Sequence, residues 1–402
     1  MSIKNKKKIT MSLIIAGSII AICLIFISSI FPPSSGELPA PENPYGISEK
    51  TRLCADNINL SLILISENIN NPVLLICGGG PGIPQYLFES IYPSPLSKHF
   101  TVCYWDYRGT STSYYPGINA NEMTLEQYIK DTVAVTEYLS ERFSAERIYI
   151  MGHSFGTYIA LKTVQKYSEK YECYIAMSQI VDQTESEYIA FDYMSEQFEK
   201  NCNQKMIKEF KKHSIRNSSK DLDEYFFSGL RDKAMHELGL GTTRNMHSVI
   251  TGIFFPSLKC TAYTQKERID IWKGKIFSES FPVHFSAMSF NAFEEVPEIR
   301  IPVFFICGAH DYTCCTALQQ KYYEFIKAPY KKIYIFENSA HSPLYEEFKK
   351  AELTIIEIKN KISMMNRKKE DNSYVRSNID IKVEKFYNYA TAVIQLPLLN
   401  EN

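Results

Sequence analysis

Three residues of this chain have the types and spacing to break a carbonyl bond: a serine, a carboxylate and an imidazole, each placed just after an apolar run. Ser154 lies in Gly152-His153-Ser154-Phe155-Gly156, between the run 147–151 and a helical stretch, 157–167. A serine on a tight strand-to-helix turn needs small neighbours so that its Oγ projects free of the backbone. The helix that starts there turns its N–H groups and dipole toward developing negative charge. Serine also needs a base, and the base needs an acceptor for its other nitrogen. The apolar run 303–307 leads into Gly308-Ala309-His310-Asp311, and the run 332–336 leads into Glu337-Asn338-Ser339-Ala340-His341. Singly, a turn serine, a loop-capping aspartate and a surface histidine are ordinary. In this order, each beyond a strand, they predict Ser154 as nucleophile, Asp311 as orienting acid and His341 as base.

A fourth element follows the run 73–77: Gly78-Gly79-Gly80-Pro81-Gly82. Glycines let main-chain N–H groups approach a tetrahedral oxyanion, so Gly80 and Phe155, with Gly79 beside them, are the candidate oxyanion-hole donors. A phosphate loop is disfavoured, because neither Lys-[Ser/Thr] nor a dinucleotide spacing follows. Arg108, just past the run 101–105, is read first as a loop-fixing ion-pair partner and second as a carboxylate binder. His153 and His310 are read as local hydrogen-bonding residues.

These residues need a scaffold that gathers strand ends. The runs 73–77, 101–105, 147–151, 174–178, 303–307 and 332–336 are apolar throughout, as strands buried on both faces of a parallel sheet are. Helical patterns alternate with them. Thr124-Leu-Glu-Gln127 is a capping box ahead of Leu125, Ile129, Thr132, Thr136, Leu139 and Phe143, and Ser342-Pro343 opens a stripe through Leu344, Phe348, Ala351, Ile355, Ile358 and Ile362. A doubly wound, mostly parallel α/β sheet is the expected fold. Residues 183–295 lack a convincing buried strand and read as an inserted helical cap, leaving 50–182 and 296–363 as the core. The tail 364–402 carries a charge run and a possible amphipathic helix (Val383, Phe386, Tyr387, Ala390, Val393) of no assigned role.

The formal charge of −1 over 402 residues gives no pull on nucleic acid. The ten cysteines form no zinc spacing and imply no short disulfide framework. At the start, residues 1–8 are basic (Lys4, Lys6, Lys7, Lys8) and 9–31 are uncharged and apolar, longer than the apolar region of a signal peptide. The pattern predicts a single-pass membrane anchor over 9–31 and a linker over 32–49, with the catalytic domain extracytoplasmic.

The set Gly-Gly-Gly-Pro-Gly, Asp106-Tyr-Arg-Gly-Thr-Ser-Thr-Ser113, Gly-His-Ser-Phe-Gly, Gly-Ala-His-Asp311 and Glu-Asn-Ser-Ala-His341-Ser-Pro resembles the prolyl iminopeptidase branch of the α/β-hydrolases over about residues 50–363. The resemblance implies an α/β-hydrolase fold with a helical cap between strands six and seven, and no metal or organic cofactor. It also implies removal of an N-terminal residue, often proline, from small peptides, with cap carboxylates holding the free amine. Glu185, Glu187, Asp192 and Glu196 are acidic residues of the cap, each read first as part of a solvated face. The sequence departs from the family at Gly78 (histidine there), Tyr107 (glutamine), Ser111 (glycine) and His153 (commonly glycine), which bears on the proline preference and leaves the triad intact. The alternatives are a carboxylesterase acting on small acyl esters and, in another class, a catalytically silent binding protein on the same scaffold.

Overall fold

The computed structural model describes residues 28–29 and 31–368. Among them, eight strands form one sheet: β1 (Ile47–Ala55), β2 (Ile58–Ser66), β3 (Val73–Cys77), β4 (Thr101–Trp105), β5 (Ile148–His153), β6 (Tyr171–Met177), β7 (Val303–Gly308) and β8 (Lys331–Phe336). Their order is β1-β2-β4-β3-β5-β6-β7-β8. Only β2 runs against the rest, pairing antiparallel with β1 and β4. The other neighbours are parallel.

Burial explains the strand sequences. Every residue of β3, β4, β5 and β7 is buried, so helices cover both faces and the strands read as unbroken apolar runs. Leu75, Ile150, Ala176 and Phe305 share one core with Val135 and Leu139 of the helix Leu125–Arg142 and Ile159 of the helix Phe155–Lys166. Each large apolar side chain so buried contributes about 1.5–3 kcal/mol. The edge hairpin is different. β1 and β2 join through Asp56 and Asn57, both at positive φ (46° and 63°) as a two-residue turn requires, and most of β1 is only partly buried.

Between β6 and β7 the described residues form helices and no strand of the sheet, giving a helical cap at the expected place in the order. Its two ends are pinned together. Asp182 bridges Asn291, whose Nδ2 donates to Asp182 Oδ2 (3.3 Å), and Ala292 N donates to Val181 O (2.7 Å). The first cap helices carry a small core of their own, with Met194, Phe198, Phe210 and Met235, while Phe281, Val283 and Phe290 join the main core.

One expectation is corrected. Among the described residues no helix is long and apolar enough to cross a membrane, so the anchor over 9–31 and the single-pass, extracytoplasmic placement are withdrawn. Most of that span lies outside the described residues. Its last residue, Phe31, instead lies against the Arg268 guanidinium (5.6 Å), and Pro32 O accepts from Arg268 Nη1 (2.7 Å). The following segment continues onto the cap, where Ser34 Oγ donates to Thr261 O (2.6 Å).

The chain divides into two compact units, residues 1–354 and 355–402. All named elements belong to the first. The described part of the second, 355–368, is helical, and the amphipathic pattern expected over 383–393 lies outside the described residues. The stripe expected from Ser342 is interrupted: a short helix, Pro343–Glu346, ends at Glu347, and Phe348 is exposed.

Candidate active site

Ser154 follows β5 directly and caps the helix Phe155–Lys166 with φ 54° and ψ −124°, a conformation costly for a residue with a Cβ. The surroundings hold it there. Ser154 N donates to Met177 O at the end of β6 (3.1 Å), and Thr157 returns its N–H (2.8 Å) and Oγ1–H (2.6 Å) to Ser154 O. Gly156 is obligatory, since a Cβ there would lie 1.9 Å from Cys77 O. Its absence lets the helix start against the end of β3. Phe155 is the first residue of that helix, so its N–H has no intrahelical acceptor.

Asp311 is buried in the turn after β7 and gathers donors. Its Oδ1 accepts from Thr313 N (3.0 Å) and Cys314 N (2.9 Å), its Oδ2 accepts from Gln319 Nε2 (3.4 Å), and both oxygens lie 3.0 Å from His341 Nδ1. The carboxylate thereby fixes Nδ1 as the protonated nitrogen and leaves Nε2 with a lone pair. Gly308 permits this meeting: a Cβ there would lie 1.9 Å from Ala340 O, in the loop that carries His341. That loop is held from behind, because Glu346 Oε1 accepts from Ala340 N (2.9 Å) and Glu347 Oε1 accepts from Asn338 N (2.9 Å) and Ser339 Oγ (2.8 Å).

His153 joins the two halves. Its Nε2 donates to His341 O (3.0 Å), its Nδ1 lies 3.2 Å from Gln85 Oε1, and its ring centre is 5.4 Å from that of His341. Burial, then the neighbouring His341, pushes its pKa down to about 3, so it is a neutral strut. No hydrogen bond joins Ser154 Oγ to His341. Nucleophile–base bonds are often long in a substrate-free site.

The glycine loop sorts the candidate oxyanion donors. Gly79 N already donates to Gln85 Oε1 (3.2 Å), which takes it out of the set, whereas Gly80 (φ 119°) and Phe155 line one cavity with Ser154. Two of the departures from the family pattern touch each other, since Tyr107 Oη donates to Gly78 O (3.0 Å). Arg108 is a loop-fixing residue: Nε and Nη2 grip Asp131 at 2.8 and 2.7 Å, and Nη2 also donates to Ala55 O.

The cavity over Ser154 has a volume of about 160 Å³ and is lined by cap residues, among them Gln183, Phe226, Arg231 and His284. Of the four acidic cap residues, Glu185, Asp192 and Glu196 are exposed. Glu187 is buried, and its oxygens accept from Arg231 Nε (2.7 Å) and Nη2 (2.5 Å) and from Gln183 Nε2 (2.8 Å). Burial works against the Arg231 charge, but Glu187 outweighs it and holds the guanidinium above its usual range. From the core side, burial pushes the Cys314 thiol up, with the Ser154 hydroxyl acting in the opposite sense. Sequence reasoning missed the Glu187–Arg231 pair, Gln85, Gln319, Cys314 and His284. Cys314, three residues past Asp311, carried a usable positional signal. The pair did not, because its members stand 44 residues apart.

A strained serine on a strand-to-helix turn, at the carboxyl end of a central strand in an eight-stranded sheet with one reversed strand, defines a class. Residues 72–348 match the family described as alpha/beta hydrolase fold, and the chain belongs to that family and is a hydrolase. The "Probable aminopeptidase YbaC" of Bacillus subtilis (strain 168) is 31% identical over 305 residues, covering 73% of this chain and 91% of that protein. The proline iminopeptidase structure of Mycobacterium smegmatis superposes with a TM-score of 0.59 at 14% identity, covering 79% of this chain and 100% of the other. An alpha/beta fold family hydrolase from Bacillus anthracis str. Sterne gives 0.50 at 17% identity, covering 77% and 99%. At such identities both structures bear on the fold alone.

Proposed function

We propose that the chain is a Ser-His-Asp hydrolase that releases the N-terminal residue, of proline type, from small peptides. The observation that carries the chemistry is the Asp311–His341 pair, held against the elbow of Ser154 through His153. Ser154 Oγ attacks the carbonyl while His341 Nε2 takes its proton. Gly80 N–H and Phe155 N–H face the oxyanion, and Asp311 stabilises the imidazolium. His341 then protonates the leaving amine. Water, deprotonated by the same imidazole, releases the acyl group from Ser154. The aminopeptidase assignment rests on the 31% identical relative, itself named an aminopeptidase.

A second reading, a carboxylesterase taking small acyl esters, is favoured by one observation. Glu187, the buried one of those four cap acids, is already bonded by Arg231 and Gln183, so it offers no free carboxylate to a substrate ammonium. Turnover of an aminoacyl anilide beside its N-acetylated form separates the two. The peptidase reading expects loss of activity on acetylation, and equal rates on both forms would overturn it. In either case Ser154→Ala lowers kcat by on the order of 10⁴-fold or more, and activity within tenfold of the parent would overturn the assignment of Ser154.

A further inference from the structure

Both ring nitrogens of His284 are buried without a hydrogen-bond partner. The residue is 9% exposed, sits on the cap helix Pro282–Ser289, and lines the same cavity as Ser154. Its ring lies among Phe227 (5.6 Å between centres), Phe285 (5.9 Å) and Phe226 (6.2 Å). If the position served packing alone, a phenyl ring would suit it better, since unpaired polar atoms in an apolar niche are costly. Burial, followed by the nearby Lys275, lowers its pKa to about 4 against the pull of Glu279. The ring is therefore neutral near pH 7, with one nitrogen donating and the other accepting.

Arg231 supplies the other half. Its Nε and Nη2 are committed to Glu187, while Nη1 finds no acceptor among the described residues. Phe226 lies against both groups, with the guanidinium 4.6 Å from its ring centre. The cavity thus offers one free donor, one imidazole acceptor and an ion pair that compensates itself. Its complement is an uncharged group that both donates and accepts. An ammonium has no lone pair to give Arg231, and a carboxylate meets a cation already neutralised.

We propose that His284 is the specificity-determining residue that receives the substrate's free α-amino group, taking its N–H on a ring nitrogen while the amine lone pair accepts from Arg231 Nη1. The proposal rests on the aminopeptidase reading and names the residue that recognises the amine. An α-hydroxyl offers the same donor and acceptor and fits the same place.

The test compares p-nitrophenyl esters of alanine, lactate and propionate, activated esters that either reading of the enzyme accepts. The wild type is expected to favour the alanyl and lactyl esters over the propionyl ester by about 10- to 100-fold in kcat/KM. In His284→Phe the alanyl-to-propionyl ratio falls toward one. In His284→Gln, which keeps a donor and an acceptor, it lies between. A ratio taken on one sample cancels any loss of folded protein. A His284→Phe ratio equal to that of the wild type overturns the proposal and leaves the aminopeptidase reading standing. A wild-type ratio near one, with Ser154 still labelled by a fluorophosphonate, removes the aminopeptidase reading and the proposal with it.

Discussion

At the carboxyl ends of β5, β7 and β8 the reactive groups are held by main-chain geometry, whereas in the cap the groups facing them are held by one another. Ser154 is fixed by its own φ and by N–H and C=O bonds to β6 and Thr157. Asp311 accepts two amides of its own turn, and the His341 loop hangs from Glu346 and Glu347. Opposite them, Arg231 depends on Glu187, Glu187 on Gln183, and the His284 ring on three phenylalanines. Chemistry placed on rigid strand ends tolerates little change. Recognition placed on side chains of an insertion can be rewritten without disturbing the sheet. The difference predicts that core substitutions lower kcat and cap substitutions change which substrate is taken.

The largest expected effect is in the core. Asp311→Asn keeps the shape but loses the charge that fixes the His341 tautomer, and kcat should fall by on the order of 10⁴-fold with KM little changed. An equal rise in KM would blur the division between the two regions. In the cap, Glu187→Gln leaves Arg231 without its carboxylate, and breaking such a buried pair costs about 3–5 kcal/mol. Urea unfolding should show that loss, with kcat/KM falling more than kcat. Unchanged stability would mean that the pair is not the cap's keystone.

What was legible in the sequence follows the same line. Ser154 and Asp311 could be picked out because each follows an apolar run, and a strand buried on both faces is written as such a run; the run before His341 was expected to be buried likewise, but β8 is the sheet's edge strand and is only partly buried. β1 and β2 were not, because Ile47–Ala55 mixes charged and apolar residues on a half-exposed edge, and Asp56-Asn57 was the signal left unread. The box at Thr124 is half formed: Thr124 accepts from Gln127 N, but Gln127 Nε2 turns to Asp56 and Asp131. Thr264 and Glu267 make the full box instead. In the helix Gln183–Lys200, Glu185, Asp192 and Glu196 face solvent while Glu187 is buried against Arg231. Local pattern cannot supply that, because the partner is set by tertiary packing.

Smaller effects sharpen the comparison. His153 has a pKa near 3 when folded, against about 6.5 unfolded. The unfolded chain binds the extra proton, so this stabilisation is complete above pH 6.5 and is lost as pH falls toward 3. Between pH 7 and pH 5 the wild type should lose about 2 kcal/mol more than His153→Gln, read from urea midpoints. Parallel losses would show that His153 is not the buried neutral strut described. Smallest of all, Glu346→Gln weakens the bonds under Ala340 and should lower kcat by about tenfold without altering the preference between alanyl and propionyl esters. A changed preference would place that glutamate with the cap.

The central claim is that Ser154 is the nucleophile activated by His341 and Asp311. Incubation with a fluorophosphonate, followed by peptide mass mapping, measures it directly. The account predicts a single adduct, on the peptide containing Gly152-His153-Ser154, absent from Ser154→Ala and slowed by orders of magnitude in His341→Ala. Labelling that persists in Ser154→Ala, or that proceeds at the wild-type rate in His341→Ala, would contradict it.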